Sequence, residues 1–138
     1  MEYIAGYCVV NDLSERSYQL ERGGTWIKGK SCDTFGPVGP WLVTKEEIAN
    51  PDELRLWLRL NGELMQDGNT RDMIFKVAFL VSYISHFITL YPGDIIATGT
   101  PDGVGLTLKP QPYFLKPFDV MTLGVEGLGE QRQEVRAR

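Results

Sequence analysis

The sequence predicts an α+β domain, mainly β, with one long helix, and three observations carry that reading. Leu54, Leu56, Leu58 and Leu60 alternate with Arg55, Trp57 and Arg59, the period of a strand buried on one face. Asn61-Gly62 follows at once, and both residues tolerate the positive φ that a tight hairpin turn demands. Residues 70–90 instead place Ile74, Val77, Ala78, Val81, Ile84, Ser85 and Ile88 at helical spacing, with Thr70 to open the helix and Pro92-Gly93-Asp94 to end it.

The remaining elements follow in chain order. Residues 3–10 are rich in β-formers and read as a strand, running into a helical pattern from Asp12. Glycine and proline dominate residues 21–40, which reads as a long structured loop, and such loops usually carry function. Residues 41–43 form a short strand, and Thr44 with Glu47 three residues on suggests a capped short helix. The return strand of the Asn61-Gly62 hairpin covers residues 63–66. Residues 95–98 read as a buried strand entering a second glycine loop, 99–105. A hairpin around Gly127 and Gly129 joins residues 120–126 to 131–136. With no repeat or linker, residues 1–138 are expected to form one domain. Met1 stands almost at the start of a well-formed strand, so a preceding segment is expected.

Composition narrows the function classes. The chain has 138 residues, 43% hydrophobic and 23% charged, an ordinary globular balance. Acidic residues outnumber basic ones, 18 to 14, and the basic ones are scattered apart from Arg132, Arg136 and Arg138. Broad nucleic-acid binding needs clustered positive charge and is not expected. The most apolar stretch is interrupted by Lys76, Ser82, Ser85 and His86, so no membrane span is expected. Cys8 and Cys32 lack metal-type spacing and His86 is the single histidine, which leaves hard, oxygen-bound ions as the metal chemistry to consider. A cytoplasmic location is the expectation.

The chemistry-bearing group starts at Asp12. If a helix begins there, Asp12, Arg16 and Gln19 stand at i, i+4 and i+7 and project within one narrow sector, at about 100° per residue. A carboxylate, a guanidinium and an amide would then line up beyond the end of a strand, with Leu13 and Leu20 on another face. A cation would take Asp12, and Arg16 and Gln19 would hold an anionic or carbonyl-bearing substrate. The competing reading makes Asp12 the N-cap of a capping box with Glu15, and Arg16 its ordinary i,i+4 partner. Lys28, Lys30 and Asp33 lie on the glycine loop that follows. Gly99 and Thr100 belong to the second glycine loop, whose backbone N–H groups suit a carboxylate or phosphate, although a tight turn needs the same glycines. His86 and Asp94 read as rim and turn residues.

Five blocks of this sequence resemble the fumarylacetoacetate hydrolase family, in family order: YIAGYCVVNDLSERSYQ, W-x-x-GKSCDTFGPVGPWLV, NGELMQDGNTRDMIF, PGDIIATGTPDGVG and VEGLGE. The segment ERGGTW-x-x-GK-x-x-DTFGP looks like the branch of ureidoglycolate lyases and 2,4-diketo-3-deoxy-sugar-acid hydrolases. The resemblance implies a mixed β-sandwich roll, a homodimer, and a divalent cation, Mg²⁺ with Mn²⁺ or Ca²⁺ as alternatives. Asp12 would be a metal ligand beside two glutamates of a Glu-x-Glu motif. Lys30, Arg16 and Gln19 would act on the substrate or its developing charge, and Thr100 with Gly99 would hold its carboxylate. The implied reaction is cleavage of a C–C bond in a small β-diketo (2-oxo) acid by water, with a His and Glu pair as base.

The chain departs from that pattern in three places. Upstream of Asp12 only Glu2 is acidic, so the Glu-x-Glu motif and the His and Glu pair are absent. Ser17 stands where an aspartate is usual, and Phe118 where glycine is common. The sequence therefore matches the C-terminal part of the catalytic domain, with the N-terminal part missing. A non-catalytic fragment or assembly module is the alternative, as is different chemistry at the same site: decarboxylation, ureidoglycolate lyase action or hydroxymuconate-type isomerisation.

Overall fold

The structure, a computed structural model, describes residues 2–137; Met1 and Arg138 of the C-terminal basic group lie outside the described residues. Its frame is two antiparallel sheets. The larger has the order β4-β3-β5-β6, built from β3 (Arg55–Leu60), β4 (Glu63–Asn69), β5 (Val120–Val125) and β6 (Gly129–Glu134). The smaller pairs β1 (Gly6–Val10) with β2 (Val38–Thr44).

The hairpins arise where the sequence predicts them. Asn61 and Gly62 have φ of 51° and 89°, the left-handed pair that joins strands without splaying them. Leu60 is thereby set against Glu63, and Leu58 against Gln66. β3 pairs on its other edge with β5, Leu58 opposite Leu123 and Leu60 opposite Met121. A single core forms between the sheets from Val9, Val43, Ile48, Leu60, Met121, Leu123 and Leu128. Polar side chains stitch the seam: the Gln131 amide nitrogen donates to the carbonyls of Val9 and Gly39, 2.8 Å each, and Asn11 donates to Gln133 at 2.8 Å. The carbonyl bonds fix the end of β1, from which the chain passes into Asn11 and Asp12.

Several expectations are corrected. The helix predicted over 70–90 is a single 3-10 turn, Thr70–Asp72, then α3, Val77–Ser85. The Asn69 side chain accepts from the Arg71 N–H at 2.9 Å and starts the turn early. Met73 and Lys76 then take extended ψ values of 129° and 159°, and the Lys76 ammonium donates to the Thr70 and Arg71 carbonyls. Helical periodicity cannot report such a break, because side-chain spacing is blind to it. Residues 45–47 form a turn rather than a helix; the Thr44 hydroxyl meets Glu47 at 3.2 Å without starting one. Residues 95–98, expected as a buried strand, pair with no other strand among the described residues, and Ile95 is 60% exposed. Two further helices are short, α1 (Arg16–Leu20) and α2 (Trp26–Lys30), the second inside the predicted loop.

Asp119 anchors the far end of the larger sheet. Its carboxylate accepts from the Asn61 amide at 2.8 Å, the Lys116 N–H at 2.8 Å and the Tyr113 hydroxyl at 3.1 Å. Those bonds, led by Asn61, hold its pKa below the ordinary carboxylate value. A depressed folded pKa contributes stability that is present above the unfolded value, about 3.9, and is lost as pH falls through the folded one. We predict that Asp119→Ala lowers unfolding stability by on the order of 2 kcal/mol at pH 7 in urea titrations. Below about pH 4 the gap between variant and parent should narrow as the carboxylate protonates.

Candidate active site at the helical pair

α1 and α2 form one unit at the end of β1. A Cβ on Gly29 would stand 2.7 Å from both the Gln19 Cβ and the Glu15 carbonyl oxygen, so only glycine admits this approach. The Gly29 carbonyl accepts from the Glu15 N–H at 2.8 Å, tying the helices backbone to backbone. Both helices are single turns too short to persist alone, so their orientation comes from this contact.

Asp12 lies before the helix rather than on it. Glu15 is the N-cap, its side chain accepting from the Ser17 N–H at 3.0 Å and hydroxyl at 2.8 Å. This corrects both the helix expected from Asp12 and the capping box with Asp12 as cap. A serine at position 17 supplies a second donor to Glu15, which places the cap three residues later. Asp12 pairs instead with Lys30, Oδ2 to Nζ at 2.5 Å, from the last residue of α2. Arg16 donates to Gln19 Oε1 at 2.6 Å and not to Asp12. Leu13 packs against the core, but Leu20, expected beside it, is exposed.

Gln19 is 1% exposed, and its amide nitrogen has no acceptor among the described residues. A buried donor without a partner carries a free-energy cost, which the bond from Arg16 to the Gln19 carbonyl oxygen offsets in part. Four of the predicted site residues, Asp12, Arg16, Gln19 and Lys30, are thus brought together by α1 and α2. Spacing could not reveal the Asp12–Lys30 pair, which spans 18 residues.

Gly99 and Thr100 sit elsewhere, on a loop clamped to β4. Gln66 donates to the Thr100 hydroxyl at 2.8 Å and to the Pro101 carbonyl at 3.0 Å. A Cβ on Gly103 would overlap the Met65 carbonyl oxygen, and one on Gly68 would strike Pro101. Gly99 has φ of 108°, a conformation open to glycine. No hydrogen bond or ion pair links this loop to the helical pair among the described residues.

Among the described residues no three His, Cys, Asp or Glu side chains gather to hold a metal ion. Two shallow concavities, about 310 Å³ between Glu47–Asn50 and Glu126 and about 190 Å³ at Leu60, Asn61 and Tyr113, contain none of the predicted site residues. Burial pushes the Cys8 thiol up, away from thiolate chemistry. No helix among the described residues is long and apolar enough to cross a membrane.

Comparison with known proteins places this arrangement. The profile of the fumarylacetoacetate (FAA) hydrolase C-terminal family matches residues 1–136, and the chain belongs to that family. A hydrolase-named protein of Burkholderia lata is 60% identical over 136 residues, 99% of this chain and 48% of its own. A fumarylacetoacetate hydrolase from Exiguobacterium antarcticum superposes with a TM-score of 0.94 at 40% identity, covering 99% of this chain and 48% of that one. A maleylpyruvate hydrolase from Sphingobium gives 0.80 at 34% identity, covering 96% and 44%. A 5-carboxymethyl-2-hydroxymuconate delta-isomerase from Mycobacterium smegmatis gives 0.86 at 36% identity, covering 99% and 50%. The chain therefore spans about half the length of the curated relatives it matches.

The family is generally dependent on a divalent metal. On this chain alone the donors do not fit one: Asp12 is a single carboxylate already paired with Lys30, whereas Mg²⁺ demands octahedral oxygen ligation.

Two outcomes test the geometry. Gly29→Ala should cost about 1–3 kcal/mol, from forcing a methyl against Gln19 and Glu15, and should speed amide exchange in α1 more than in the larger sheet. Lys30→Met should change the unfolding free energy measured in urea titrations by less than about 1 kcal/mol, because the pair with Asp12 is solvent-facing and its value to the fold is small.

Proposed function

We propose that this chain supplies about half of the active-site domain of a metal-dependent hydrolase, one that cleaves a C–C bond of a small β-diketo (2-oxo) acid. An acylpyruvate or a 2,4-diketo-3-deoxy sugar acid is the substrate class, the latter following the branch its glycine loop resembles. The observation that carries the proposal is the locked helical pair, which sets Lys30 against Asp12 and Arg16 against Gln19 in a chain of this family.

Each residue then has a part. Asp12 is one oxygen ligand of a divalent cation, Mg²⁺ with Mn²⁺ or Ca²⁺ as alternatives, whose other ligands come from outside this chain. Water adds to the carbonyl remote from the carboxylate, the C–C bond breaks, and its electron pair leaves as the enolate of the 2-oxo acid. The Lys30 ammonium and the Arg16 guanidinium offset the charge that develops there. Gln19, buried and bonded to Arg16, holds that guanidinium in orientation. Gly99 and Thr100 take the substrate carboxylate through backbone N–H and hydroxyl donors. The general base belongs to the part of the site outside this chain, and a homodimer belongs to the same proposal.

A second reading has support of its own. The muconate-isomerase neighbour shares the same half of its fold with this chain, and isomerisation of a 2-hydroxy diacid also passes through a stabilised enolate. Turnover of acylpyruvates and 2-hydroxymuconate diacids by the completed assembly separates the two. Hydrolysis should dominate, with Asp12→Ala abolishing it and Lys30→Met lowering kcat by about 100-fold or more. Turnover of the diacids alone would favour the isomerase, and unchanged hydrolysis in both variants would refute the site.

A further inference from the structure

Gln66 lies on β4, an edge strand of the larger sheet, and is half-buried against the 99–105 loop. Its amide nitrogen stands 2.8 Å from the Thr100 hydroxyl oxygen and 3.0 Å from the Pro101 carbonyl oxygen. A main-chain carbonyl can only accept, so the bond to Pro101 fixes which end of the amide faces the loop: the nitrogen, with its two hydrogens. One hydrogen serves each oxygen. Thr100 is therefore the acceptor in its bond to Gln66. An amide nitrogen accepts nothing, so the hydroxyl's own hydrogen has to point away from Gln66. Thr100 is exposed, and that hydrogen is within reach of a ligand.

A free threonine hydroxyl turns to donate or accept as its partner requires. This one has its choice made for it. The loop that carries it is also held in place by packing, because Gly68 lies against the Pro101 ring and Gly103 against the Met65 carbonyl, each without room for a Cβ. These seats fall on either side of Gln66 in β4, so the direction of the Thr100 hydroxyl is set from the sheet.

We propose that Gln66 is a positioning residue for the substrate carboxylate: by filling the acceptor side of the Thr100 hydroxyl, it commits that hydroxyl to donate to an anionic oxygen. The inference rests on the assignment of Gly99 and Thr100 to the carboxylate under the proposed function, and it adds the residue that makes Thr100 selective. A carboxylate only accepts and so matches a committed donor, whereas a ligand presenting a hydrogen there meets another hydrogen. Glutamate at position 66 would reverse the arrangement. Its carboxylate would capture the Thr100 hydrogen and turn the hydroxyl's lone pairs toward the substrate's own negative charge.

The test measures pyruvate binding by calorimetry, so that it reads the carboxylate seat without requiring turnover. It uses the completed assembly, with the half of the Burkholderia lata relative that this chain does not match supplied as a second polypeptide. Gln66→Glu should raise the pyruvate Kd about tenfold or more. Gln66→Met loses the same bond to Pro101 but cannot capture the hydroxyl hydrogen, and should raise Kd by less than about threefold. In a Thr100→Val background, Gln66→Glu keeps its charge but has no hydroxyl to turn, and its effect should fall below about threefold. Thr100→Ser should retain the parent affinity. Equal losses in Gln66→Met and Gln66→Glu would reduce Gln66 to a loop clamp and overturn the proposal. So would a loss in Gln66→Glu that persists undiminished in Thr100→Val, since charge alone would then explain it. Pyruvate binding that is unchanged in Gln66→Glu but lost in Thr100→Val would overturn the role of Gln66 and leave the carboxylate seat standing; binding indifferent to Thr100→Val would overturn both.

Discussion

The approach of α2 to α1 at Gly29 is the constraint on which the candidate site depends. Two single-turn helices carry Arg16, Gln19 and Lys30, with Asp12 just ahead of the first, and neither is long enough to hold a direction by itself. Their approach at Gly29 has no room for a methyl group, and it is backed by the Glu15 to Gly29 backbone bond. From that contact follow the Lys30 position opposite Asp12 and the burial of Gln19 beneath Arg16. The far anchor is the seam at Gln131, which ties β1 to the strand beside it and so fixes where Asp12 leaves the sheet.

Charge and burial then divide the labour. Asp12 and Lys30 face solvent as a pair whose value to stability is small, while Gln19 is enclosed with an unmatched donor. A chain selecting for stability alone would resolve both cheaply, with an apolar residue at position 19 and no lysine aimed at a carboxylate. The proposed function accounts for their retention. The packing of the apolar residues is uneven as well. Among the described residues seven buried hydrophobic side chains make up the core of a chain that is 43% hydrophobic, and an aromatic ladder from Phe75 to Phe87 lies outside it.

Much of the sheet frame was legible in the sequence, because its signals are local. The leucine alternation of β3, the positive φ at Asn61-Gly62 and the glycines at 127 and 129 each specify a conformation that few neighbours could override. Other elements were misread for physical reasons. The helix over 70–90 kept its periodicity through a break made by the Asn69 and Lys76 side chains, which spacing does not record. α2 was hidden because glycines flank and enter it, and Gly29 serves a close approach there rather than a loop. Residues 95–98 carry a strand's composition without a strand to pair with. In the site, Arg16 and Gln19 were legible as near neighbours, but the partner of Asp12 came from 18 residues away. The resemblance to the family supplied Lys30, and the fold placed it.

Cation binding tests the central claim most directly: that this chain holds one metal-ligating carboxylate of a site completed from outside. Calorimetric titration of Mn²⁺ into the 138-residue chain alone should give no measurable heat. Titration into the assembly completed by the complementary half should give one site per chain, lost in Asp12→Ala. Tight binding by the chain alone, or binding by the assembly that survives Asp12→Ala, would contradict the account.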